Sequence, residues 1–384
     1  MNTRSTMTRL SLVSLCLVGC SSSGTGSDDG GSNPNPNPDA ATIHWATSCA
    51  DGGVNLPAPT GAWKNVTANL AGMASECGNL AFLSSKPERD LLLVGIAQHG
   101  LWSSANGGTS WSALGSGAGS AAITNRTSSI VYDPSNPAIY YESGIYNGPG
   151  VYRTSNDGQT FTALGAINHN DMVAVDFTDP DRKTLLASGH EQAGRLMLST
   201  DAGASWTDLG PKLPAQSGIS SGVAVLDSHT FLIGTWSWNG GDATGIYRST
   251  DAGMSWTRMV PQGVRSAPLV TAGGAIYWAL DDGKGLVRSN DHGASWQMTI
   301  AGTVSGRTPV ELPDGRIVAV GNQALLVSPD CGTTWQVATA NLPYQPDNFA
   351  YSPYQKAFFI RHFDCNNPVP ADAVMRFDFD YQHP

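Results

Sequence analysis

Eight histidines stand in this chain of 384 residues, and those with polar neighbours are where chemistry is first sought. His169 lies two residues before Asp171, and His190 is followed directly by Glu191. An imidazole titrates near neutrality and can take or give a proton, and a carboxylate beside it fixes its orientation. Arg265, Arg307 and Arg361 can each clamp a carboxylate through parallel N–H donors. Trp236 and Trp238 offer flat faces on which a pyranose ring can stack. A base and a cationic clamp are the minimum for β-elimination in a uronate polymer. Hydrolysis instead needs two carboxyl groups at a set separation, for which Asp171, Glu191, Asp281, Asp282 and Glu311 are candidates. Each group also has a structural reading. His169-Asn170-Asp171 can simply order its loop, the Trp236 and Trp238 rings can pack inside the fold, and the arginines can pair with Asp281 or Asp347.

What positions these residues is a repeat. Segments beginning at Ser104, Thr154, Ser199, Ser249, Ser289 and Ser328 all read S/T-x-D/N-x-G-x-S/T-W/F, with starts 50, 45, 50, 40 and 39 residues apart. A repeat of this period marks one supersecondary unit used many times. Each copy reads as a hairpin corner. The Asp or Asn accepts backbone N–H bonds, Gly supplies a positive φ, and the aromatic residue starts the next strand. Between copies, short runs of strong β formers alternate with turn signals, for example over 129–133, 138–144, 150–153 and 161–164.

The repeat resembles the Asp-box, or BNR repeat, of sialidases, xyloglucanases, sortilin-type receptors and photosystem assembly factors. Ile130-Val-Tyr-Asp-Pro-Ser-Asn-Pro-Ala-Ile-Tyr140 and Tyr152-Arg-Thr154 carry the same texture. The resemblance covers roughly residues 60–380 and implies a β-propeller in which each box joins strands c and d of a blade, far from the active face. The box aspartates, including Asp201, Asp251, Asp291 and Asp330, are then structural. The early Arg-Ile-Pro-type motif of sialidases is missing before the first box, with Arg265-Ser-Ala-Pro268 and Arg307-Thr-Pro309 as distant echoes, so a sialidase is disfavoured. Xyloglucanases of this type use two propellers, whereas this chain has room for one, and no catalytic residue is carried over from them.

Six boxes give six blades. A seventh is expected from strands at 348–352, 357–361 and 374–379, completed by a lone strand at 61–66 near the N-terminus. The fold class is therefore all-β, a single seven-bladed propeller over residues 42–384, with six blades as the alternative. Closure removes exposed sheet edges. The d–a and b–c loops share the face opposite the boxes. Sorted by loop, His99, Arg126, Tyr146, Asn147, His169, Asp171, His190, Glu191, Trp236, Trp238, Arg265, Asp281, Asp282, Arg307, Asp347, Asn348, Arg361 and His362 fall on that face. His169, Asp171, His190, Glu191, Arg265 and Arg307 are the catalytic candidates. His99, Tyr146, Trp236, Trp238, Arg361 and His362 are the substrate-binding candidates. Some propeller lyases use His, Tyr and Arg in such roles, although no family motif is matched here.

Residues 1–19 read as a signal peptide, with Arg4 and Arg9 ahead of an apolar run too short to span a membrane. Leu17-Val-Gly-Cys20 resembles a bacterial lipobox, which implies a lipid on Cys20 and a cell-envelope location. Residues 20–41 are a Ser/Gly/Pro tether. Cys49, Cys77, Cys331 and Cys365 remain, and the expected topology pairs Cys49 with Cys331 and Cys77 with Cys365. A net charge of −10 without any Lys/Arg run argues against nucleic acid. No cofactor motif or metal-ligand spacing is present. The expectation is a lipid-anchored, monomeric propeller that recognises and can cleave a polysaccharide, as hydrolase or lyase, on the loop face. The alternative is a non-catalytic propeller that binds a glycan or protein.

Overall fold

The runs between boxes are too short and too rich in β-branched and aromatic residues for helices, and they form strands. The computed structural model describes residues 43–48, 56–73, 80–117, 119–237, 243–362 and 373–382. It contains seven four-stranded antiparallel sheets. These are the blades of a β-propeller, and the six-bladed alternative is excluded. Four blades frame the argument below. Blade 1 comprises Leu80–Ser85, Leu92–Ile96, Gly100–Ser104 and Ser112–Ala113. Blade 2 comprises Arg126–Tyr132, Tyr140–Ile145, Val151–Thr154 and Thr162–Ala163. Blade 3 comprises Asn170–Val175, Leu185–Gly189, Leu196–Ser199 and Thr207–Asp208. In blade 7, Asn348–Ser352, Ala357–His362 and Ala373–Asp378 are joined by Lys64–Asn65.

Strand b is the driest element of each blade, because a neighbouring blade covers each of its faces. Leu92–Ile96, Tyr140–Ile145 and Leu185–Gly189 are buried along their whole length. The apolar clusters lie between blades rather than within them. Leu92 and Val94 of blade 1 pack with Phe359 and Val374 of blade 7, which closes the ring.

The boxes behave as their composition requires. In the fourth, the Asp251 carboxylate accepts the Ser255 N–H at 2.9 Å and the Ser249 hydroxyl at 2.8 Å, and Ser249 Oγ accepts the Gly253 N–H at 2.8 Å. The Ser255 hydroxyl, which donates to the same carboxylate at 2.6 Å, and then the Ser255 N–H and the Ser249 hydroxyl hold Asp251 well below the usual carboxylate range, at about 2. One feature was not legible in the repeat. The residue before the glycine is also left-handed, at φ 56° for Ala252, 56° for His292 and 61° for Cys331. Two consecutive positive φ values make the tight primed turn that suits the twist of a hairpin.

The N-terminal strand does complete the last blade. Lys64 pairs with Arg376 and Asn65 with Met375. Trp63 packs on Phe377 with ring centroids 5.2 Å apart. Pairing is confined to two residues, shorter than the 61–66 run suggested. Cys331 is disulfide-bonded, while Cys20, Cys49, Cys77, Cys365 and Trp238 lie outside the described residues.

Candidate functional site

Arg126 opens strand a of blade 2 and is the register partner of Ile145, which closes strand b. The b–c turn therefore begins at Tyr146, on the loop face. In blade 3 the d–a turn carries His169 to the start of strand a, and the b–c turn begins at His190. The blades are locked together below these turns. Ser128 Oγ of blade 2 donates to the Asp171 carbonyl of blade 3 at 2.6 Å. Asn170 Nδ2 donates to the Ser188 carbonyl at 2.9 Å. Gly150 makes room for Asn170: a Cβ there would lie 2.0 Å from Asn170 Oδ1.

Above this floor, four predicted residues converge. His190 Nδ1 lies 2.7 Å from Asp171 Oδ1, and His190 Nε2 lies 3.2 Å from the Tyr146 hydroxyl. A carboxylate on Nδ1 fixes the neutral ring as the Nδ1–H tautomer, so Nε2 accepts the phenol proton. His169 Nδ1 accepts the Tyr146 backbone N–H at 3.2 Å, which leaves its proton on Nε2. The His190 N–H donates to the His169 carbonyl at 2.9 Å. The two imidazoles meet edge-to-face with centroids 4.9 Å apart, and Tyr146 sits 5.1 Å from His169 and 5.4 Å from His190. Glu191 Oε1 lies 3.7 Å from His190 Nε2.

The backbone is strained where these side chains leave it. Tyr146, His169 and Glu191 have φ of 60°, 60° and 49°. Bulky residues seldom adopt this left-handed region, and each instance costs about 1–3 kcal/mol. Burial pushes the Asp171 carboxyl up from its ordinary value, opposed by the bond to His190. Burial, then the neighbouring His190, pushes His169 down. Both effects favour the neutral His169 ring. Tyr146, whose hydroxyl meets His190, is 39% exposed.

The remaining candidates sit elsewhere on the ring. Arg265 pairs with Asp281 at 2.9 Å and lies 3.9 Å above the Trp236 ring, which is itself buried. The Trp236 face expected to receive a sugar is thus covered by an arginine. The Asp282 side chain lies outside what the structure describes. Arg307 pairs with Asp347 at 3.1 Å, and His362 Nδ1 lies 3.0 Å from the same carboxylate. Arg361 reaches the Leu80 carbonyl at 2.8 Å. His99 is an exposed residue of the blade 1 b–c turn, and its carbonyl accepts the Trp102 indole N–H at 3.3 Å. Glu311 is a correction. It accepts the Ala272 N–H at 2.9 Å beside the a–b corner, on the box face, and burial pushes it up to about 7. One neighbour was missed: Arg195, in the blade 3 b–c loop, stands close enough to His169 to contribute to its lowering. No motif singles it out, since its proximity depends on how that loop folds back. Among the described residues, no group of three or more His, Cys, Asp or Glu side chains could hold a metal.

The fold is shared with proteins of very different kinds. The structure of YCF48 bound to D1 peptide matches with a TM-score of 0.53 at 13% identity, over 88% of this chain and 100% of that one. The GH74 xyloglucanase from Xanthomonas campestris matches with a TM-score of 0.55 at 17% identity, over 84% of this chain and 55% of that one. This chain thus spans about half the length of that enzyme. The Pan2 WD40 domain of Neurospora crassa matches at 0.52 and 10% identity, over 82% and 95% of the two chains. At such identities the likeness is one of fold alone. No protein-family model matches the chain, and no curated protein matches it.

Proposed function

We propose that the loop face of blades 2 and 3 is a proton-transfer site that cleaves a polysaccharide by β-elimination. The observation that carries this reading is the linear relay Tyr146 Oη, His190, Asp171, with spacings of 3.2 and 2.7 Å. A nucleophile or base held against a histidine that is oriented by a carboxylate is an activated group. Here the phenol gives its proton to Nε2, and the phenolate removes the proton beside a uronate carboxylate. The electron pair forms the C4–C5 double bond, and the bond to the leaving oxygen breaks. His190, an imidazolium once it holds the phenol proton, gives that proton to the leaving oxygen, which leaves Tyr146 as the phenol and His190 neutral, while His169 packs against both rings. A carboxyl-pair hydrolysis fits less well, because Asp171 is committed to His190.

The purified chain is to be incubated with a panel of acidic and neutral polysaccharides while unsaturated uronate ends and reducing ends are scored separately. Unsaturated ends are expected. Reducing ends without unsaturation would replace elimination by hydrolysis. No product from a folded chain would leave a glycan- or protein-binding propeller.

We further propose the pairings Cys49–Cys331 and Cys77–Cys365. The first is supported by the neighbouring segment: the Ala46 N–H bonds the Pro313 carbonyl at 2.8 Å, and the Ser48 carbonyl lies against Gly315, on the box face that also carries Cys331. Non-reducing peptide mapping is expected to recover these pairs, and a Cys49–Cys77 peptide would overturn them. Loss of the Cys331 bridge is expected to cost about 2–4 kcal/mol.

A further inference from the structure

The turn that presents Tyr146 is held from the neighbouring blade. Tyr146 follows strand b of blade 2 directly and has a left-handed φ of 60°. A bulky residue stays in that region only when its surroundings hold it there. Backbone pairing zips the same loop to the d–a turn of blade 3. Pro149 bridges Asn168 in antiparallel register, and the Gly150 N–H donates to the Ile167 carbonyl at 2.8 Å. The Tyr146 carbonyl accepts the Gly148 N–H at 2.6 Å, and the Thr124 hydroxyl donates to the Asn147 carbonyl at 2.6 Å. Beyond the backbone pairing a side chain continues the link: the Tyr146 N–H donates to His169 Nδ1 at 3.2 Å.

His169 is placed to do this by its own backbone. It too is left-handed, at φ 60°, and its carbonyl accepts the His190 N–H at 2.9 Å. Asn170, the next residue, is fully buried with its amide on the Ser188 carbonyl. One residue thus touches both outer members of the relay. It holds the start of the Tyr146 turn through Nδ1 and the start of the His190 turn through its carbonyl. Its ring packs 5.1 Å from the phenol ring and 4.9 Å from the His190 imidazole. Only an unprotonated ring nitrogen can accept an N–H, so the contact requires the Nε2–H tautomer.

We infer that His169 is the positioning residue of this site: by clamping the Tyr146 amide it sets the spacing between a phenol on blade 2 and an imidazole on blade 3. Without the clamp, the 3.2 Å contact between Tyr146 Oη and His190 Nε2 hangs on a left-handed turn with one bond fewer. His169 itself handles neither the proton taken from the glycan nor the one given to the leaving oxygen. Its effect on turnover rests on the reading of the relay given above, whereas the clamp is a property of the fold alone.

Two substitutions separate the side chain from the backbone it leaves. Glycine and asparagine both accept a left-handed φ, but only asparagine offers an acceptor near the place of Nδ1. In the full chain, amide hydrogen exchange at Tyr146 should be about tenfold faster in His169→Gly, the change expected for one hydrogen bond lost. It should return toward the parent rate in His169→Asn. An unchanged rate in His169→Gly would overturn the clamp. On a uronate polymer that the parent cleaves, kcat should fall about 10²-fold in His169→Gly with KM held, as for a reacting group misplaced by about 1 Å. It should recover in His169→Asn. Faster exchange with full turnover would overturn the positioning role, and so would equal losses in both variants, which would make the imidazole itself a catalytic group. If His169→Gly fails to fold, nitrogen NMR shifts of the His169 ring in the parent decide: an unprotonated Nδ1 is expected, and a protonated one overturns the clamp. If the parent cleaves no polysaccharide, the relay reading fails and the exchange rates alone decide the clamp.

Discussion

Two His–Asp pairs sit on the same face of this propeller, and they are built for different ends. In blade 3, His190 holds Asp171 at 2.7 Å and faces the Tyr146 hydroxyl at 3.2 Å. In blade 7, His362 holds Asp347 at 3.0 Å, and a tyrosine is again at hand. There the likeness ends. Tyr344 stacks on His362 with rings 29° apart and donates its hydroxyl to the Ala373 carbonyl at 2.9 Å. Burial pushes its phenol far above the ordinary range. Asp347 also holds Arg307. The blade 7 proton is spent on the backbone and its carboxylate is shared, whereas the blade 3 phenol meets His190 on a residue that is 39% exposed. Tyr146 and His169 have left-handed backbones, and none of Tyr344, Asp347 and His362 does. Similar residue types thus make a relay in one place and a lock in the other, and the destination of the tyrosine hydroxyl decides which.

The largest expected effect separates the two tyrosines. Tyr146→Phe should lower turnover by about 10²–10⁴-fold, the range for losing a proton-transfer group, with the melting temperature unchanged. Tyr344→Phe should do the reverse. It strands buried carbonyls and is expected to cost about 1–3 kcal/mol of stability, with turnover on a cleavable substrate within twofold of the parent. Equal turnover losses in the two variants would break the comparison.

A smaller effect separates the pH response of turnover from that of stability. The proposed relay needs Asp171 ionised, and burial pushes its carboxyl above the ordinary 3.8. Turnover should therefore rise with pH along a limb whose midpoint lies above that value, and Asp171→Asn should lack the limb. Asp347→Asn should keep it. Stability follows another group. Glu142 is fully buried in blade 2, bonded by Asn125 at 3.2 Å, and desolvation pushes it up to about 8 from 4.5. The folded chain thus binds this proton more tightly than the unfolded chain does. The stabilisation is complete below pH 4.5 and is lost as pH rises through about 8. The difference is on the order of 5 kcal/mol for a shift of this size. Glu142→Gln should flatten the fall, as read by denaturant midpoints between pH 4 and 9. An unchanged slope would place the titration elsewhere.

Much of this was written in the residue order. The box spacing counted six blades, and the lone Trp63 strand with the boxless C-terminal run predicted the seventh and its closure. These signals are local: each box satisfies its own hydrogen bonds, and each strand shows its burial in its own side chains. Sorting polar residues by loop put Tyr146, His169, Asp171 and His190 on one face. It could not say that these four meet while Arg265 is stacked over Trp236, or that Glu311 lies at the opposite end. A hydrogen bond between blades depends on how the ring closes and on turns held at positive φ, and neither is a property of any short segment. The sequence by itself determined the propeller, its blade count and the face on which chemistry could occur. Only the tertiary structure decided which histidine meets an exposed tyrosine's hydroxyl, because that depends on the distance between residues brought together by packing.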